Sequence, residues 1–293
     1  MGSDHPLVPV GLAFVAAALW GLWWVPIRML EGMGLPGAWG TVAMTLGAAL
    51  LAGFLLILFR RPSGLAAKAC AGAVLVGMAV TAFSVALTLS DVVRVILLFY
   101  LAPAWSKVIE TLFLGRPWRM SASLAILLSL TGAYFVLGGD VSLSSVGLGD
   151  WLALLAGMSW AAGAALVFTG PGTNPMALVC ITALAGAALG LGFIALGFGE
   201  GAGPGHGAAL PTLLGLAIGA AYVLPILALT LWSAQRLTPA VLSFLLTAEI
   251  LSGVGSSAYF LEEPFSGLQA LGALLVISAA LIEVVTSLRP ARV

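Results

Sequence analysis

Charge is scarce in this chain. Asp, Glu, Lys and Arg make up 8% of its 293 residues, against about 25% in an average soluble domain. With 61% hydrophobic residues, the apolar surface exceeds what a water-soluble core of this length absorbs, so a soluble globular domain is excluded. The formal net charge is zero, which leaves no electrostatic footprint for nucleic acid. Histidine is limited to His5 and His206, both outside the apolar runs, and cysteine to Cys70 and Cys180, both inside them. Neither pair forms a disulfide framework or a metal-ligand cluster, and the cysteines read as small packing residues. No nucleotide-binding loop occurs, so neither ATP use nor any cofactor is expected, and no enzyme site is visible. Met1 to Val8 carries no Lys or Arg ahead of a long first apolar run. That departs from a signal peptide and reads as a retained first helix.

What is present is apolar length. Ten runs approach the roughly 20 residues that span the hydrocarbon of a bilayer: 8–30, 39–59, 66–89, 92–114, 121–138, 149–169, 176–198, 211–232, 239–260 and 266–287. They are continuous rather than alternating, which predicts helices and not a β-barrel. Turn chemistry separates them, as in Gly170-Pro171-Gly172-Thr173-Asn174-Pro175. The 37 glycines are in keeping with membrane helices, where small residues let backbones approach. The expected fold class is therefore all-α, a polytopic membrane protein with the lipid bilayer as its partner.

Basic residues set an orientation. With a cytoplasmic N-terminus, the inner loops and tail hold Arg60, Arg61, Lys68, Arg116, Arg119, Arg236, Arg289 and Arg292, and the outer ends hold Arg28 and Arg94. Both termini are thus expected in the cytoplasm. A repeat supports the same reading. Arg116-Pro117-Trp118-Arg119 follows the fourth run, and Glu262-Glu263-Pro264-Phe265 follows the ninth; at an offset of 147 positions the prolines coincide, as do Phe113 with Phe260 and Leu114 with Leu261. Equivalent loops of opposite charge are what two halves inserted in opposite senses would carry. Ten runs divide into halves at 8–139 and 148–288, and five spans per half force that inversion. Inverted repeats around a midplane site recur among secondary transporters.

These features resemble the drug/metabolite transporter superfamily, in its ten-helix branch with two EamA repeats. The resemblance covers Val8 to Leu288 and rests on the five-plus-five pattern, on Leu19-Trp20-Gly21 near the opening of the first half, and on the spacing from Glu249 to Glu263. The chain departs from the family pattern where the fourth run keeps Pro103 but has Ala102 in place of an acid. The ninth run keeps Glu249 but has Ile250 in place of a proline. Within the superfamily, Leu19 to Gly34 and Tyr100-Leu101-Ala102-Pro103-Ala104-Trp105 are most similar to bacterial aromatic amino acid exporters. The resemblance implies a basket of helices around a central cavity, in a bacterial inner membrane.

Polar and aromatic residues at depth are the candidates for that cavity. An ionisable group in the hydrocarbon costs several kcal/mol and faces a cavity or a partner, which singles out Glu249 as an ammonium ligand, a proton carrier or a structural acid. Lys107 and Glu110 share a helix face and either pair with each other or leave Lys107 to hold a substrate carboxylate. Tyr100 and Pro103 lie on the same stripe as Lys107, and Pro103 is expected to kink its helix. Ser243 and Thr247, one turn apart on the ninth run, are binding hydroxyls or bond their own backbone. Trp20 and Trp23, with Trp24 beside them, cluster on the first run, and Trp160 is the counterpart of Trp20 on the sixth. Trp20 lies too deep in its run for an interfacial belt, which leaves core packing or an aromatic wall. Tyr222 and the kink candidate Pro225 on the eighth run, and Thr81, Ser84 and Thr88 on the third, as cavity hydroxyls or helix-packing groups, complete the set. Arg28 is expected to snorkel to the surface.

The function expected is export of a small-molecule substrate, aromatic and other neutral amino acids, by alternating access and facilitated diffusion. The alternatives are a carrier for organic cations, nucleosides or sugars, a proton-coupled antiporter, and, outside the transporters, a membrane-embedded enzyme. Either a monomer or a dimer fits the sequence.

Overall fold

The computed structural model describes residues 7–59, 64–115, 118, 120–136, 146–170, 172–197, 207–236, 245–246, 249, 252–253, 255–257, 259–261 and 266–288. Among them there is no strand. Seven helical stretches are long and apolar enough to cross a bilayer: Val8–Gly32, Ala38–Phe59, Ala67–Leu89, Val92–Phe113, Leu148–Val167, Pro175–Ala195 and Ala209–Ser233.

In chain order the helices are α1 (Leu7–Gly21), α2 (Trp24–Gly32), α3 (Ala38–Phe59), α4 (Ala67–Leu89), α5 (Val92–Phe99), α6 (Ala102–Leu114) and α7 (Met120–Val136). They continue with α8 (Leu148–Thr169), α9 (Pro175–Ala195), α10 (Ala209–Ile218), a π-helical turn (Gly219–Val223), α11 (Leu224–Ala234) and α12 (Gly267–Leu288). Of the ninth run, Leu245, Leu246, Glu249, Ser252, Gly253, Ser256 and Phe260 are helical. Ser243, Thr247, Arg116, Pro117, Arg119 and Glu262 to Phe265 lie outside the described residues, as do the side chains of Pro103 and Glu110.

Three of the expected single helices depart from regular α geometry, two by a short interruption and one by a π-helical turn, and a proline stands beside each departure. A proline has no N–H for the carbonyl four residues back. Pro26 leaves Leu22 without that donor, and the first run is interrupted at Leu22 and Trp23, where the bonds shorten to Trp23 N–H on the Trp20 carbonyl and Val25 N–H on the Leu22 carbonyl. Pro103 removes the donor for Phe99, and the fourth run breaks at Tyr100 and Leu101, with three-residue bonds from Leu101 to Leu98 and from Ala104 to Leu101. Pro225 does the same to Ala221, which sits inside the π turn. Helical bonding is irregular beside Pro103 and Pro225, and beside Pro26 as well.

The helices carry apolar side chains on every face. Such a helix is stable only where no face meets water. Leu50, Phe54 and Ile57 of α3 and Leu112 and Phe113 of α6 are exposed on the outside of the bundle, where hydrocarbon suits them. Inside, contact is made by small residues. A Cβ added to Gly72 of α4 would stand 2.7 Å from the Gly163 carbonyl of α8, and one on Gly163 would stand 2.8 Å from the Gly72 carbonyl. The two backbones therefore touch, and α4 packs against α8 along its length. Gly21 meets the ninth run in the same way, with the Glu249 carbonyl at 2.5 Å from a Cβ built there. Further pairs are α7 with α12 and α3 with α9.

Candidate functional site

A partly open cavity of about 70 Å³ lies within the bundle. Trp20 of α1, Ala79, Val80 and Phe83 of α4, and Phe99 of α5 form part of its wall; Tyr100, Ala102 and Ser106 from the break and α6, Trp160 of α8, and Leu246 and Glu249 of the ninth run form the rest. Residues from before and after the midpoint of the sequence thus face one space. The break at Tyr100 is part of the wall, and the break at Leu22 follows the wall residue Trp20 by two positions.

Aromatic rings dominate the wall. Phe99 is their hub: its ring centroid is 5.1 Å from Phe83, 5.7 Å from Tyr100 and 6.4 Å from Trp160, all in edge-to-face geometry. Such contacts favour each other electrostatically and hold the rings in fixed orientation around the space. Polarity comes from Ser106, Tyr100 and Glu249. Glu249 is 6% exposed, and the Tyr100 hydroxyl donates to its Oε2 at 3.0 Å. The same hydroxyl contacts the Leu246 carbonyl. Among the described residues the Glu249 carboxyl forms no ion pair.

The expected site residues separate into those on the wall and those behind it. Trp20, Tyr100, Trp160 and Glu249 come together on the wall. Trp20 is fixed by its Nε1–H, which donates to Thr230 Oγ1 of α11 at 3.0 Å. Trp23 is not on the wall. It is fully buried, donates to Ser84 Oγ at 2.9 Å and stacks on Tyr222 at 6.1 Å. Tyr222 donates to the Leu19 carbonyl, across the broken first run, and stands behind the wall too. Trp24 bonds Ser256 Oγ at 3.0 Å and supports the ninth run. Lys107 is half-buried on α6 and is not among the residues lining the cavity. Pro225 lies behind the cavity at the start of α11. The hydroxyls of Thr81, Ser84 and Thr88 donate to the carbonyls of Gly186, Val80 and Val85, and so serve packing. Arg28 pairs with Glu31 at 3.1 Å and reaches the Ser90 carbonyl at 3.3 Å.

Phe83, Phe99 and Ser106 are wall residues that the sequence did not single out. Phe99 carried one usable signal, its position four residues before Pro103.

No family model matches the chain, and no curated protein matches it. A solved structure described as "Crystal structure of protein" is similar over 98% of this chain and 100% of its own, with 18% identity and a TM-score of 0.62. That likeness shows a shared fold. The class defined by the fold is an all-helical protein whose long apolar helices suit a bilayer.

Proposed function

We propose that the chain is a polytopic carrier of ten spans, built from two inverted five-helix repeats at 8–139 and 148–288. It exports aromatic and other neutral amino acids by alternating access across a bacterial inner membrane. The observation that carries this reading is the cavity itself: an aromatic-walled space with one buried carboxyl, lined by helices from both halves. The Trp20, Phe99 and Trp160 rings suit a flat apolar side chain, and Glu249 with Tyr100 suits an ammonium group. Helix pairing supports the repeat. The second run packs on the seventh and the fifth on the tenth, the self-paired members expected of a two-fold axis in the membrane plane. The EamA-like residues named above agree with it, and facilitated diffusion needs nothing beyond these parts.

One observation favours a second reading. The ionisable side chain among the described lining residues is an acid, and Lys107 is elsewhere. An aromatic amine or other organic cation, which has no carboxylate to satisfy, matches such a wall at least as well.

Uptake into proteoliposomes of labelled phenylalanine, tryptophan and alanine, beside labelled phenethylamine, tests both. Saturable amino-acid flux is expected. Amine flux without amino-acid flux would replace the first reading with the second. Flux that follows an imposed pH gradient would replace facilitated diffusion with proton coupling.

A further inference from the structure

Trp20 and Trp160 both reach the cavity wall, but they are held in different ways. Trp160 lies inside α8, which is regular from Leu148 to Thr169, so the backbone bonds of its own helix fix it. Trp20 lies one residue before the end of α1, beside the break. There the backbone donors change partners. The Leu22 N–H, which a regular helix would give to Ala18, bonds the Leu19 carbonyl at 3.0 Å. The Trp23 N–H, which a regular helix would give to Leu19, bonds the Trp20 carbonyl at 3.0 Å. Ala18 thus loses its regular donor, and Leu19 keeps a three-residue bond. Carbonyls left short of donors inside a bilayer find no water to replace them.

Two side chains from the second half of the sequence supply the shortage. Ser252 Oγ of the ninth run donates to the Ala18 carbonyl at 3.0 Å and shares its proton with the Glu249 carbonyl at 3.2 Å. The Tyr222 hydroxyl, from the π turn of the eighth run, donates to the Leu19 carbonyl. These are the two carbonyls that immediately precede Trp20. The spot is tightly confined. A Cβ on Gly21 would overlap Ser252 Oγ, and one on Gly253 would stand 3.0 Å from the Gly21 carbonyl, so the first and ninth runs meet backbone to backbone around this serine. Tyr222 has a second hold through its ring, which stacks on Trp23 at 6.1 Å, with Trp23 in turn 5.1 Å from Trp20.

We infer that Tyr222 and Ser252 are positioning residues for the Trp20 ring. Neither is among the residues lining the cavity; each gives the first run a hydrogen bond where the break has rearranged its own. This rests on the carrier reading for the purpose of the ring, not for its placement. Thr230 holds the indole N–H of the same residue, so Trp20 is set by three hydroxyls of the second half, whereas Trp160 is set by its own helix. Ser252 also ties the segment before Trp20 to the carbonyl of Glu249, and so fixes the spacing between the ring and the acid on the wall.

Fluorine NMR tests the placement without a substrate. The chain is labelled with fluorotryptophan and held in detergent, and the Trp20 resonance is assigned by its loss in Trp20→Phe. Ser252→Ala, and Tyr222→Phe with its ring still on Trp23, are each expected to shift or split that resonance while that of exposed Trp118 stays in place. In proteoliposomes both variants are expected to raise the KM for phenylalanine about five-fold, the size of roughly one hydrogen bond, with a smaller effect on alanine. In a Trp20→Ala background they are expected to add nothing. An unmoved Trp20 resonance in both variants overturns the positioning role, even if the unfolding temperature falls, since the hydroxyls then serve stability alone. Equal changes in KM for the two amino acids, or losses that add to that of Trp20→Ala, overturn it as well. Should one variant fail to fold, the other decides. Absence of amino-acid flux in the parent would overturn the substrate reading and leave the fluorine resonances to decide the placement.

Discussion

The phenolic oxygen of Tyr100 stands 3.0 Å from Oε2 of Glu249, tying the fourth run to the ninth beside the cavity. Tyr100→Phe keeps the ring and removes the donor. It leaves the Glu249 oxygen and the Leu246 carbonyl without that partner, a loss of about 1–3 kcal/mol when such groups are buried. Flux in proteoliposomes is expected to fall by roughly ten-fold, with a lower unfolding temperature in detergent. Wild-type flux at wild-type stability would show that the hydroxyl serves neither binding nor assembly.

Removing one ring from the wall separates substrates by shape. Trp160→Ala takes away an edge contact with Phe99 and a face open to the cavity. Aromatic contacts contribute about 0.5–1.5 kcal/mol beyond area, so phenylalanine flux at low concentration is expected to drop several-fold while alanine flux changes little. Equal losses for both solutes would mean that Trp160 shapes the bundle rather than the specificity.

The α4–α8 seam makes a prediction about stability. Gly72→Ala places a methyl group 2.7 Å from the Gly163 carbonyl, and overpacking of this kind costs about 1–3 kcal/mol. Gly11→Ala meets nothing within 4 Å and, inside α1, gains helix propensity of up to about 1 kcal/mol. Thermal unfolding followed by tryptophan fluorescence is expected to move down for the first and stay level or rise for the second. A Gly72→Ala variant as stable as the parent would mean that the seam yields.

Trp20 and Thr230 can be examined as a pair. The Nε1–H of Trp20 donates to Thr230 Oγ1 at 3.0 Å, with both residues buried. Trp20→Phe, Thr230→Val and the double variant form a cycle whose coupling is expected near 1 kcal/mol. A coupling near zero would mean that packing alone positions Trp20 on the wall.

How much of this was legible in the sequence differs between the limits of each helix and the direction its side chains face. Span limits were legible because hydrocarbon thickness sets them: the run 39–59 is the helix Ala38–Phe59, and 149–169 is Leu148–Thr169. Four wall residues were legible as well, since Trp20, Tyr100, Trp160 and Glu249 are conspicuous within apolar surroundings. Direction around each helix was not. In a soluble protein the polar face of a helix points to water and reveals the other face; here both faces are apolar, so Trp23 and Tyr222 looked equivalent to Trp20 although they stack on each other behind the wall. Phe83 had no mark at all, and Phe99 had only its place four residues before Pro103, because a phenylalanine among leucines carries no chemical contrast. Lys107 was conspicuous for its charge, but its neighbour Ser106 is the residue on the wall.

The three proline breaks bear on how such a chain enters a membrane in the first place. Insertion responds to the summed hydropathy of each run and penalises charged side chains by about 2.5–3.5 kcal/mol apiece at the helix centre. Pro26, Pro103 and Pro225 disturb the backbone of three runs without adding any such side chain. The runs therefore stay greasy enough to be recognised as spans during synthesis, and their irregular geometry emerges only when neighbouring helices close around them. The composition that suits a bilayer and the irregular backbone are thus carried by different residues of the same runs.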